Sequence, residues 1–227
     1  MDTVGLLRQV TIFRELPEPV LSDLATRVRP REAEAGSLIV SAEEAGDALY
    51  VIASGKVKVV LYGETGREII LSILHGGDFF GEMSLLDRQP RSANVVALEA
   101  SQLLTLDREA FQTHLGANPT TALAVLAEMS RRLRHADEVI GNLALLDVYA
   151  RVARIIRDLA VKGGERVDGG LLIRERPTQQ EIAGLIGTSR ETVSRALNDF
   201  TRRGLLEMQG KQILVRWGFM QKVEEAA

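Results

Sequence analysis

The 227-residue chain contains no cysteine. That absence excludes disulfides, thiol nucleophiles and cysteine-ligated zinc or iron–sulfur centres in one step. Histidine is scarce as well: His75, His114 and His135 are the only three, and none has a second histidine at the spacing of a zinc motif. No metal centre is expected. No apolar run approaches the roughly eighteen residues that a membrane span needs. The start, Met1-Asp2-Thr3-Val4, lacks the basic stretch and apolar core of a secretory signal. These absences predict a cytoplasmic protein with no membrane partner. Internal repeats and low-complexity tracts are also missing.

What is present is an ordinary globular composition, 45% hydrophobic and 26% charged. The net charge of −3 hides an asymmetry: residues 148–227 hold 14 Lys and Arg against 10 Asp and Glu, whereas residues 1–147 hold 14 against 21. A basic second part suits a polyanionic partner, although so small an excess does not establish one.

The hydrophobic period changes twice. Residues 3–28 read as helix, broken at Leu16-Pro17-Glu18-Pro19. From about Arg31, short strand-like runs follow at 37–41, 48–54, 57–62, 68–74, 93–97 and 102–107. Several are separated by turns: Gly46-Asp47, Ser54-Gly55, Gly63-Glu64-Thr65-Gly66 and Gly76-Gly77-Asp78. Many short strands at such spacing predict a small barrel or sandwich. Helical period returns after Phe111, and Asn118-Pro119 opens a long helix. There Ala122, Leu126, Met129, Leu133, Ala136, Ile140 and Leu143 follow one another at spacings of four and three. Such an a/d seam predicts pairing with a second copy; a helix lying on its own barrel is the alternative, and would show a wider apolar stripe. The organisation expected is thus a barrel over 1–117, a dimerisation helix and hinge over 118–147, and a second domain over 148–227.

The second domain carries the strongest local signal. Thr178 with Glu181 forms a capping box, and Ile182, Ala183 and Ile186 form the apolar face of a first helix. Gly187 ends it at a position that favours positive φ. Ser189 caps a second helix with Val193, Ala196, Leu197 and Phe200 on its inner side. Two helices joined in this way predict a helix-turn-helix. The outer face at the start of the second helix offers Arg190, Glu191, Ser194 and Arg195, groups suited to base edges in a major groove. Ser189 and Thr192 suit phosphates, and Gln180 and Lys211 are further candidate DNA contacts. The segments flanking Gly210-Lys211 read as a wing.

Residues 187–195, reading Gly-Thr-Ser-Arg-Glu-Thr-Val-Ser-Arg, together with Gly204-Leu205-Leu206 and Gly210-Lys211, closely resemble the recognition region of bacterial CRP/FNR-type regulators. Residues 141–148, Gly-Asn-Leu-Ala-Leu-Leu-Asp-Val, are similar to that family's junction between dimer helix and DNA-binding domain. The resemblance runs from about Phe13 to Arg216. It implies an α+β chain: an N-terminal cyclic-nucleotide-binding jelly-roll barrel, a central dimer helix and a C-terminal winged helix-turn-helix. By the same resemblance Arg190, Glu191 and Arg195 contact bases, the partners are a palindromic operator, a second copy and RNA polymerase, and a hinge lies near 145–148.

Residues 80–86, Phe-Gly-Glu-Met-Ser-Leu-Leu, with Pro90-Arg91-Ser92-Ala93, are similar to the phosphate-binding cassette of cyclic-nucleotide-binding domains. The chemistry fits the residue types. A short helix after Gly81, starting through Met83 and Ser84, can aim free amides at an anion. Arg91 offers a fork to the cyclic phosphate, Ser92 a hydroxyl, and Glu82 an acceptor for a ribose hydroxyl. One departure stands out. Where cyclic-AMP-responsive members carry Thr and Ser on the dimer helix, this chain has Ala136 and Asp137. A carboxylate only accepts, and guanine presents adjacent N1–H and N2–H₂ donors. The expected effector is therefore cyclic di-GMP or cyclic GMP ahead of cyclic AMP, with Asp137 as a ligand contact; Asp137 as a solvated coiled-coil position is the competing reading. Haem is not expected, because His75, in a glycine turn, is the only histidine within the strand region 37–107. Two further readings stay open: a DNA-binding regulator whose barrel has lost its ligand, and an enzyme using Glu82 or Asp137 as a base. No nucleophile–base pair supports the second.

Overall fold

The computed structural model describes residues 2–64 and 66–225. Thr65, in one of the expected turns, lies outside the described residues, as do Met1, Ala226 and Ala227. The chain divides into two compact units, Met1–His135 and Ala136–Ala227.

In the first unit, α1 (Thr3–Gln9) is capped by the Asp2 carboxylate, and α2 (Glu18–Arg27) starts from Pro17. The stretch between them is a series of turns that buries Val10, Ile12, Phe13 and Leu16. The strands follow: β1 (Arg29–Ala33), β2 (Leu38–Val40), β3 (Ala48–Ser54), β4 (Lys56–Tyr62), β5 (Glu68–His75) and β6 (Phe79–Phe80). A short helix α3 (Glu82–Asp87) interrupts before β7 (Asn94–Ala97) and β8 (Ser101–Asp107). They form two antiparallel four-stranded sheets, β1-β8-β3-β6 and β2-β7-β4-β5, a jelly roll. Two strands escape the sequence pattern. The first four residues of β1 are exposed, so no alternation marks it, and β6 has only two residues.

Strand β3 shows how this unit is held together. Leu49 and Val51 join one apolar cluster with Phe13, Leu21, Phe79 and Phe111, while Tyr50 and Ile52 join another with Val57, Phe80 and Val95. Successive side chains on a strand point to opposite faces, so β3 is buried on both. The first cluster is roofed by α1, α2, α4 (Arg108–Ala117) and the start of α5 (Pro119–Leu145).

The boundary between the units falls inside α5, between His135 and Ala136. Along α5, Thr121 and Val125 are buried and Met129 packs on the barrel's own core. Leu126, Leu133 and Ile140 are each more than 60% exposed, and Leu143 is 46% exposed. Burial therefore divides the expected seam: Ala122 and Met129 are half-covered by the chain itself, while Leu126, Leu133, Ala136, Ile140 and Leu143 are uncovered.

The second unit continues with α6 (Val148–Gly163, capped by Asp147), β9 (Glu165–Val167), β10 (Gly170–Ile173), α7 (Gln179–Ile186), α8 (Arg190–Arg202), β11 (Leu206–Gln209), β12 (Gln212–Arg216) and α9 (Trp217–Glu225). Its sheet order is β11-β12-β10-β9. Val152, Ile156, Ile182, Val193, Leu197, Phe200, Leu206 and Ile213 form the core. Helix α9 is not foreseen by the sequence pattern, since Gly218 sits near its start and the helix spans only nine residues. It is held because Phe219 is 1% exposed and meets Phe200 edge-on at 5.4 Å. Among the described residues no helix is long and apolar enough to cross a membrane.

The joint between α4 and α5 rests on His114, which is 7% exposed. The Asn118 amide donates to Nδ1 at 3.3 Å, so the ring proton is on Nε2, which donates to Thr121 Oγ1 at 3.1 Å. Phe13 meets the ring edge-on. Burial pushes the imidazole below its ordinary range; the nearby Asp23 opposes that shift and Arg27 adds to it. A group whose folded pKa is depressed in this way costs stability once the unfolded chain begins to take up the proton. Unfolding free energy should hence be flat above about pH 6.5 and fall below it, by at most about 1.4 kcal/mol per pH unit. Urea midpoints measured from pH 7.5 to 5.5 check this; His114→Gln should flatten the acid limb.

Candidate functional site

The cassette begins where β6 ends. Gly81 has φ +86°, and a Cβ there would lie 3.0 Å from Ala48 O and press on the Arg91 guanidinium. Only glycine adopts that conformation at no cost, which explains its place at the head of α3. Arg91 is 7% exposed. Its Nη1 donates to Gly81 O at 2.7 Å and to Ser84 Oγ at 3.0 Å, and its Nη2 to Ala48 O at 2.8 Å. Tyr50 lies beneath, its ring centroid 5.7 Å from the guanidinium carbon, and Phe80 stacks on Tyr50 at 4.9 Å. Burial lowers the Arg91 pKa; Tyr50, Asp47 and Glu82 oppose that shift and the Arg108 charge adds to it.

Glu82 is 2% exposed. Its Oε1 accepts from Arg132 Nη1 at 3.0 Å, while Oε2 is buried without a hydrogen-bond partner in the chain. Arg132, on α5, is itself fixed three ways: Nη2 donates to Phe79 O at 2.7 Å, Nε to Glu128 at 3.0 Å, and the guanidinium covers the Phe79 ring at 4.7 Å. Burial pushes the Glu82 carboxyl up and Arg132 pulls it back. Ser84 is buried beside Arg91, whereas Met83 and Ser92 are exposed and meet one another, Ser92 Oγ to Met83 Sδ at 3.7 Å. The structure thus brings Gly81, Glu82, Ser84 and Arg91 together. Ala136 and Asp137 belong to the second unit and are exposed there. Arg132 escaped the sequence reading; its i,i+4 relation to Glu128 was the available signal.

The second unit presents a different surface. Thr178 Oγ1 accepts from Glu181 N–H at 3.2 Å and Glu181 Oε2 from Thr178 N–H at 2.6 Å, completing the capping box. Gly187 takes φ +65° and closes α7. Ala183, 1% exposed, lets α8 pack closely, and Ser189 caps α8 through Thr192 N–H at 3.2 Å. Arg190, Glu191 and Arg195 are exposed at the start of α8, and Arg195 donates to Thr192 Oγ1 at 3.1 Å. The amide of Glu191 itself and the Ser189 hydroxyl hold the Glu191 carboxyl below its usual range. Gln180 and Lys211 are exposed as well, and with Arg176, Thr178, Gln179 and Arg190 they line one open cleft between the wing and α7. Arg176 is a residue the sequence reading missed. Its backbone N–H donates to Lys211 O at 3.0 Å, and Nη2 to Gly210 O at 3.4 Å, tying it to the wing. Among the described residues no three His, Asp or Glu side chains gather to hold a metal.

Residues 30–118 match the cyclic nucleotide-binding domain family, and residues 150–217 the Crp-like helix-turn-helix domain. The chain is 34% identical over 210 residues to the CRP-like cAMP-activated global transcriptional regulator of Mycobacterium tuberculosis, covering 92% of this chain and 94% of that protein. It is also 34% identical over 201 residues to the cAMP-activated global transcriptional regulator CRP of Escherichia coli, covering 87% and 94%. The chain belongs to the CRP/FNR family. Among solved structures of that kind, the c-di-GMP-responsive regulator CLP of Xanthomonas campestris superposes with a TM-score of 0.77 at 26% identity, covering 88% of this chain and 99% of that one. The catabolite activator protein of Thermus thermophilus gives 0.55 at 34% identity, covering 95% and 97%.

In this CRP/FNR-type chain the Glu82–Arg132 pair is the element most exposed to a single substitution. Removing one partner of a buried pair leaves an uncompensated charge. Arg132→Met should destabilise by about 3 kcal/mol, read from urea unfolding. Adding Glu82→Gln to that variant should recover part of the loss, since the orphaned charge is then gone; equal stabilities for wild type and Arg132→Met would show that the pair contributes nothing.

Proposed function

We propose that the protein is a ligand-gated transcription regulator, not an enzyme, that binds a palindromic operator as a homodimer in the cytoplasm. The observation that carries this reading is the cleft between wing and α7, where Arg176, Arg190 and Lys211 converge beside the exposed start of α8. Three cations around a helix N-terminus suit phosphate, and the adjoining α8 face suits base edges. The family's known members support half-sites of the TGTGA type. The uncovered strip Leu126, Leu133 and Ile140 on α5 supports pairing with a second copy. RNA polymerase is the further partner the family membership supports.

The effector we propose is a cyclic nucleotide, its phosphate on Arg91 and Ser92 and a ribose hydroxyl on the free Glu82 Oε2. Relatives named as cAMP-activated favour cyclic AMP, and the c-di-GMP-responsive neighbour favours cyclic di-GMP. Ala136 and Asp137 tip our reading to a guanine nucleotide, cyclic di-GMP or cyclic GMP, because a carboxylate accepts from both guanine donors and offers nothing to adenine N1 or N7. A second reading, a regulator that works without ligand, is favoured by one observation. The Nη1 and Nη2 atoms of Arg91 are already occupied by Gly81 O, Ser84 Oγ and Ala48 O.

Two measurements decide these points. Arg190→Ala should weaken binding to a TGTGA palindrome by about 1–3 kcal/mol and relax selectivity at one guanine; a mobility-shift series over single-base operator variants reads both effects, and unchanged preference would remove Arg190 from the base readers. Calorimetric titration with cyclic AMP, cyclic GMP and cyclic di-GMP addresses the effector. Arg91→Ala should abolish binding of all three, and Asp137→Ala should weaken only the guanine nucleotides, by about tenfold or more. Tight cyclic AMP binding indifferent to Asp137→Ala would overturn the guanine reading, and no binding by any of them would establish the ligand-independent one.

A further inference from the structure

A second, half-buried arginine network lies beside the cassette, and none of the contacts assigned above uses it. Arg108 is the first residue of α4. Its Nη1 donates to Ser84 O at 3.1 Å and Leu85 O at 3.3 Å, its Nη2 donates to Gly46 O, and its backbone N–H donates to Asp47 O at 2.8 Å. One turn further along α4, Gln112 Nε2 reaches Leu85 O at 2.9 Å. Helix α3 has six residues, too few to satisfy its own last carbonyls. A side-chain cation at that end supplies the missing donors and matches the helix dipole.

The same segments are held from the other side by Arg91. Its guanidinium grips Gly81 O, Ser84 Oγ and Ala48 O, and its backbone exchanges hydrogen bonds with the loop before Gly46: Arg91 N–H to Glu44 O and Glu43 N–H to Arg91 O, each 2.9 Å. Ser84 is shared outright, with its hydroxyl on Arg91 and its carbonyl on Arg108. Leu85, fully buried, packs in the same cluster as Phe111 of α4 and Val125 of α5. The Arg91 guanidinium spends three of its five N–H donors on those acceptors, so an anion that draws the fork outward loosens one or more of them. Ser84 and the 46–48 loop are the segments that Arg91 and Arg108 share, so a displacement there passes to the first turn of α4 through Arg108.

We infer that Arg108 is the positioning residue that ties anion capture at Arg91 to α4 and the start of α5. The inference rests on the cassette reading proposed above. A planar fork is required, since three carbonyls from two segments must be met by one side chain, which an ammonium on a flexible stem does not do.

The test is amide hydrogen exchange on the full-length protein, with and without saturating cyclic AMP, cyclic GMP or cyclic di-GMP, for wild type, Arg108→Met, Arg108→Lys and Gln112→Ala. In the wild type, a nucleotide that binds should slow exchange about fivefold or more in both α3 and α4. In Arg108→Met the slowing should persist in α3 and vanish in α4. Arg108→Lys, which keeps the charge and is the milder change, should lose most of the α4 response, and Gln112→Ala should lose less. Equal slowing of α4 in wild type and both Arg108 variants would overturn the inference while leaving the cassette reading intact. If none of the three nucleotides alters exchange at α3 in the wild type, the cassette reading falls and the inference falls with it.

Discussion

A carboxylate removed from water must meet a cation, and the first unit is arranged around that requirement at Glu82. Its counter-charge, Arg132, comes not from the barrel but from α5, fifty residues along the chain. The pair therefore does two things. It neutralises a buried group at the head of α3, and it fastens α5 to the β6–α3 corner through Phe79 O and the Phe79 ring. The other carboxylate oxygen, Oε2, is buried with no hydrogen-bond partner in the chain. Charge pairing and helix attachment thus converge on one side chain.

The cassette beside it is built from the same economy of contacts. Arg91 lies over Tyr50, on which Phe80 also stacks, and its hydrogen bonds go to the carbonyls of Gly81 and Ala48. Arg108 donates to carbonyls of the same segments, at Ser84 and Gly46. The two guanidinium charges repel, and neutral carbonyl dipoles together with the charges of Asp47 and Glu82 offset that repulsion at Arg91. The second unit relies on a different logic. Caps at Thr178 and Ser189 and a left-handed glycine between them set the angle of α7 to α8, and Arg190 and Arg195 on α8 stay exposed.

Local signals and long-range ones separate cleanly in this chain. Caps, the turn glycine and the apolar faces of α7 and α8 lie within twenty-six residues, and hydrogen bonds of three or four residues' reach create them. The strands with alternating or continuous apolar runs were legible for the same reason, β3 being matched residue for residue. Strand β1, which has four exposed residues of five, and β6, with two residues, carry no period to read. Helix α9 is held by Phe219 meeting Phe200, a contact between residues nineteen apart that no local propensity announces. The α5 seam shows the limit of periodicity: the spacing marks an apolar stripe but does not say which part the barrel itself covers.

From its residues alone, then, this chain determines a helix-turn-helix with its wing, a strand-rich first half, a glycine-led cassette bearing Glu82 and Arg91, and a chemistry free of thiols. These depend on neighbours in sequence, on composition, or on residue types that a family resemblance identifies. Only the tertiary structure decided that Arg132 answers Glu82, that Arg108 backs the cassette, that Arg176 joins the wing cleft, and that Met129 belongs to the barrel's core while Leu126, Leu133 and Ile140 stay uncovered. Those pairings join segments that are distant in the chain, and a side chain's partner across such a distance is set by how the strands and helices pack, which no local pattern encodes.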